Sequence, residues 1–179
     1  LRSARDAGAP PTPVVVSRDF RTTGRFGPGS EEAVARLDAT GKDIAAIGPD
    51  DLSVPGLAPL VAQVKEAVLR GRGFILIRGV PVERWTKRQC AIAYFGLGAK
   101  IGEPVSQNAK GHILGHVKDI GVDYAAPTGR GYQTTARLSY HCDSSDVVGL
   151  LCLKPAKSGG LSSIVSSGAL YNEMLKRRP

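Results

Sequence analysis

"LSYHCDSSDVVGLLCLKPAKSGGLSSIVSS", residues 138–167, is the stretch on which the fold turns. It sets His141 and Asp143 two positions apart, runs at once into an apolar segment, turns through Gly159 and Gly160, and reopens with Ser162. Alternate residues of a strand face the same side. On a strand, the His141 imidazole and the Asp143 carboxylate therefore converge while Cys142 points away. An imidazole nitrogen and a carboxylate oxygen are two donors of the two-His-one-carboxylate set, which suits non-haem Fe(II) and leaves coordination positions open. The spacing alone is a weak signal. A histidine hydrogen-bonded to a nearby carboxylate at a strand end would look the same.

The flanking sequence predicts the elements around the pair. "VVGLLCLKPA" is the strongest strand signal in the chain, "KSGG" reads as a turn, and "LSSIVSS" as a second strand. "ALYNEMLKRR" predicts an amphipathic helix whose basic end suits the helix dipole. Upstream, the segment from Leu57 to Arg70 puts Leu60, Val64, Ala67 and Val68 on one helical face, and Gly71 and Gly73 stop it. "FILIRGV", Phe74 to Val80, reads as a buried strand. Thr86 and Gln89 form a capping-box pattern that opens a helix running to about Lys100, with Gly102 ending it. "GHILGHVKDIG" predicts one or two short strands. Residues 1–30 read as extended loop with an edge strand at Val14 to Val16, followed by a short helical turn from Glu31 to Leu37. Helices first, then closely spaced strands around a His and an Asp, predict a sheet or barrel with flanking helices.

Composition narrows the class. The 179 residues suit one domain or most of one, and 42% hydrophobic with 22% charged residues are globular values. No apolar stretch reaches membrane-span length and no segment reads as a signal peptide, so the expected address is the cytosol. Cys90, Cys142 and Cys152 are scattered and form no CxxC pair, as reduced thiols do. A formal charge of +8 favours an anionic partner. No lysine-rich tail, aromatic RNP-like stripe or helix-turn-helix pattern supports nucleic acid, and neither nucleic acid nor membrane is expected as a partner.

In order, "GFILIRGVPV", "LSYHCD" and "KPAKSGGLSSIVSS" resemble the early strand, the first metal motif and the Gly-Gly-hydroxyl segment of the taurine dioxygenase-like (TauD/TfdA, clavaminate-synthase-like) family. The resemblance runs from about Phe74 to the end. It implies an α+β architecture: a double-stranded β-helix, or jelly roll, with flanking helices, incomplete here at its C-terminus. Residues 1–50 would be an extended N-terminal segment, and residues 51–179 the N-terminal helices and first part of the jelly roll. The implied activity is Fe(II)- and 2-oxoglutarate-dependent hydroxylation of a small organic substrate by O2; the basic charge makes an anionic substrate one option, and a homo-oligomer is one option for assembly. His141 and Asp143 match the first two iron ligands. Ser162 matches the hydroxyl that bonds the 2-oxoglutarate carboxylate. The family's distal histidine and its 2-oxoglutarate arginine lie further downstream. No histidine follows His141, and the chain stops inside "LYNEMLKRRP", so it is expected to be an N-terminal fragment, inactive alone. The alternative is a non-catalytic, cupin-like binding module with a vestigial metal pair.

Further residues enter by position. Asn108 lies in a polar loop, and Arg137 and Tyr140 precede the metal motif; these are the substrate candidates. Arg137 would meet an anion. His112 and His116 are four apart, but Gly111 and Gly115 flank them, which argues against a helical zinc site.

Overall fold

The computed structural model describes residues 24–178, apart from 109, 126–128, 159 and 161. The expected edge strand at Val14 to Val16 and part of the Gly-Gly turn lie outside the described residues. The described residues divide into two compact units, one within residues 28–55 and 81–151, the other within residues 24–27, 56–80 and 152–178.

In the unit that carries His141 and Asp143, helix α1 (Ser30–Ala39) packs on the later helix α3 (Lys87–Ile101). Helix α3 starts where the capping box predicts: the Gln89 N–H donates to Thr86 Oγ1 (3.2 Å), and the Thr86 N–H to Gln89 Oε1 (3.0 Å). Two orphan donors of the first turn are thereby satisfied. Arg88 latches the two helices, with Nε on the Asp38 carboxylate at 2.8 Å and its guanidinium on the Lys42 carbonyl at 2.7 Å. Gly96 makes the close approach possible, because a Cβ there would stand 2.9 Å from the Leu52 side chain. Leu52, Ile92 and Val34 are the fully buried centre of this core. The short helical turn expected from Glu31 to Leu37 proves to be the ten-residue helix α1.

In the other unit, α2 (Leu57–Lys65) buries Leu57, Leu60 and Val64, then continues as a wider turn over Glu66–Arg70. Gly71 and Gly73 close that turn on the Glu66 and Ala67 carbonyls, as their places in the sequence predict. Strands β1 (Gly24–Arg25) and β2 (Ile77–Arg78) form a two-residue parallel ladder. The Phe26 N–H extends it to the Arg78 carbonyl, and Phe26 is buried. Helix α4 (Ser167–Arg177) begins at Ser166, whose hydroxyl accepts from the Ala169 N–H.

The strand expectations need correction. Within "FILIRGV" only Ile77 and Arg78 pair, and Leu76 is exposed. "VVGLLCLKPA" and the described part of "LSSIVSS" form no strand, and Leu150 is 79% exposed. An apolar run becomes a buried strand only where neighbours satisfy its backbone. Among the described residues no segment supplies that ladder. "GHILGHVKDIG" comes nearer: Lys118 and Ile120 donate N–H groups to the Tyr132 and Gln133 carbonyls, both at 3.0 Å. No jelly-roll ladder is formed among the described residues, and that expectation rests on the family resemblance of the sequence.

Candidate functional site

His141 and Asp143 sit on irregular chain, yet their side chains turn toward each other. His141 Nδ1 lies 2.7 Å from the Ser139 carbonyl, which can only accept, so Nδ1 carries the proton. In the neutral ring Nε2 then holds the lone pair. That nitrogen stands 3.9 Å from Asp143 Oδ1, with the two side chains 57% and 56% exposed. A backbone carbonyl fixing one ring nitrogen while the other faces outward is how metal-binding histidines are oriented. Donors about 2.1 Å from one octahedral ion stand roughly 3 Å apart, so a small side-chain adjustment would let the pair share an ion. The donor set fits Fe(II) as two ligands. Among the described residues, no group of three or more His, Cys, Asp or Glu completes a metal site.

The other candidates separate. Tyr140 is adjacent and exposed, and Arg137 is exposed on the approach to the pair. Asn108 is engaged within its own loop: Oδ1 accepts from the Lys110 and His112 N–H groups, at 3.0 and 3.3 Å, and Nδ2 donates to His112 Nδ1 at 3.0 Å. Its amide organises residues 106–112 and sets His112 in the tautomer opposite to His141. Ser162 is exposed and belongs to the other unit.

One residue that contacts the segment after Asp143 escaped the sequence reading. Tyr94, half-buried on α3, donates its hydroxyl to the Gly149 carbonyl at 2.5 Å. Burial pushes its phenol above the ordinary value, so it stays a donor. A glycine inside an apolar run was the available signal, since such glycines mark close approach by another group.

Residues 37–179 match the family described as taurine catabolism dioxygenase TauD, TfdA family. The chain belongs to this family. The match contains His141, Asp143 and Ser162, and every substrate candidate. Over 149 residues the chain is 32% identical to FR-33289 synthase of Streptomyces rubellomurinus, covering 83% of this chain and 44% of that relative. Over 164 residues it is 29% identical to the taurine hydroxylase-like protein SAT17 of Stachybotrys chartarum, covering 84% of this chain and 43% of that relative. The chain thus spans less than half the length of these TauD/TfdA relatives. Among the described residues, no helix is long and apolar enough to cross a membrane.

Proposed function

We propose that the whole protein is an Fe(II)- and 2-oxoglutarate-dependent dioxygenase that hydroxylates a small organic substrate. The observation that carries this reading is the His141 ring, held through Nδ1 by the Ser139 carbonyl and turned through Nε2 toward Asp143 at 3.9 Å. Family membership supports it, as does the family's jelly-roll architecture, to which residues 51–179 would contribute the first part. Fe(II) with 2-oxoglutarate, when bound, would supply the oxidising chemistry by which O2, 2-oxoglutarate and substrate yield hydroxylated product, succinate and CO2.

The chain's own residues bind and orient. His141 Nε2 and an Asp143 oxygen would be two of the ligands that hold the ion, with a further ligand and the cosubstrates completing its set. By the family resemblance alone, the Ser162 hydroxyl would donate to the 2-oxoglutarate carboxylate, a charge-assisted bond. Arg137 attracts an anionic substrate toward the pair, in keeping with the +8 formal charge. The third ligand and the carboxylate-binding arginine are expected in the rest of the whole protein, whose relatives are more than twice as long as the matched stretch.

Anaerobic titration of the whole protein with Fe(II) and 2-oxoglutarate tests this. The expected result is a visible charge-transfer band that disappears in His141→Ala. A folded protein without that band would overturn the reading and leave the non-catalytic binding module in its place.

A further inference from the structure

The segment that carries His141 and Asp143 has no strand ladder among the described residues, so something else must hold it. Leu138 packs against Gly131 just before the pair, so closely that a Cβ on Gly131 would collide with it. Six residues after Asp143, the Gly149 carbonyl accepts the Tyr94 hydroxyl at 2.5 Å across 55 residues of sequence. The absence of a side chain at 149 permits this approach: a Cβ there would stand 3.0 Å from Tyr94 Oη and 3.4 Å from the ring edge. Tyr94 is fixed in turn by α3, whose neighbouring residues Ala93 and Phe95 are buried. Two attachments therefore flank the pair, and one of them ties its segment to α3.

We propose that Tyr94 is a positioning residue for the metal pair, pinning the segment after Asp143 to α3 through the Gly149 carbonyl. This deepens the oxygenase reading and rests on it. Without the pin, residues 139–151 sample more conformations, and binding an ion must offset the entropy of ordering them. The phenol stays clear of the ion and of the reacting atoms. Its effect reaches the site through the backbone.

The test compares the whole wild-type protein with Tyr94→Phe and Gly149→Ala. The first removes only the hydroxyl; the second keeps it and crowds it away. Fe(II) affinity is read anaerobically from the 2-oxoglutarate charge-transfer band, and amide hydrogen exchange of residues 139–151 is read without metal. Both variants should bind Fe(II) about three- to tenfold more weakly, the range for one lost hydrogen bond. Exchange in residues 139–151 should speed up while thermal unfolding stays cooperative. A role confined to stability would shift the melt and leave the affinity of the folded protein unchanged. If wild type and both variants bind Fe(II) equally, the positioning role is overturned and the oxygenase reading stands. If the wild type binds no Fe(II), the oxygenase reading falls and the positioning role falls with it. Unaltered exchange in both variants would remove the pin itself. Should Tyr94→Phe fold poorly, Gly149→Ala carries the same comparison with the phenol in place.

Discussion

At the scale of the residue, the functional proposal depends on which atom of each side chain is free to act. Ser139 contributes no side-chain atom, yet its carbonyl decides the His141 tautomer and so which nitrogen faces Asp143. Asn108 illustrates the opposite case, a polar side chain placed among the substrate candidates whose amide is engaged by its own loop. Ser162 is exposed. Ser162→Ala in the whole protein should weaken 2-oxoglutarate binding by about 1–2 kcal/mol, roughly five- to thirtyfold. Calorimetric titration checks this, and equal affinity would assign the carboxylate to another group.

At the scale of the element, helices were legible and strands were not. The Thr86–Gln89 box, the Leu60–Val64 half of the expected apolar face and the stops at Gly71, Gly73 and Gly102 read correctly, because a helix satisfies its own backbone within a few residues, while Ala67 and Val68 fall in the wider turn and stay half-buried. The residues of "VVGLLCLKPA" have strand character, but a strand takes its hydrogen bonds from elsewhere in the chain. Where α3 meets Leu52, the controlling residue is Gly96. Gly96→Ala would gain helix propensity and still destabilise, because its methyl would enter the space of a fully buried leucine. The expected loss is about 1–3 kcal/mol, the usual range for overpacking, measured by denaturant unfolding. A neutral or stabilising effect would show that Leu52 can repack.

At the scale of the whole molecule, the excess of basic residues frames both recognition and stability. The Asp51 carboxyl is held below the ordinary carboxylate range, first by its hydrogen bond from Lys42 at 2.7 Å and then by the Gly48 N–H at 2.6 Å. A lowered folded-state value means that the stabilisation is present above the unfolded carboxylate range. It is lost as pH falls through the lowered value. Unfolding measured against pH should therefore show a shallower acid loss in Asp51→Asn than in wild type, with the variant already less stable near neutrality. Identical acid limbs would mean that the same contacts persist in the unfolded chain.

The amino-acid sequence by itself determined the start of α3 at its capping box, the glycine stops after residue 70 and after α3, the family, and the two-residue spacing of His141 and Asp143. Each depends on residues close along the chain or on motifs in order. Only the tertiary structure decided how that pair is held. The Ser139 carbonyl, the Leu138–Gly131 packing and the Tyr94 bond to Gly149 involve backbone atoms or partners far apart in sequence. The Tyr94 bond joins residues 55 apart and arises only when the chain folds back on itself, while the two local contacts depend on backbone conformation that residue spacing does not record. The two-residue pairing of β1 with β2 has the same origin, since Gly24 and Ile77 become neighbours only in space.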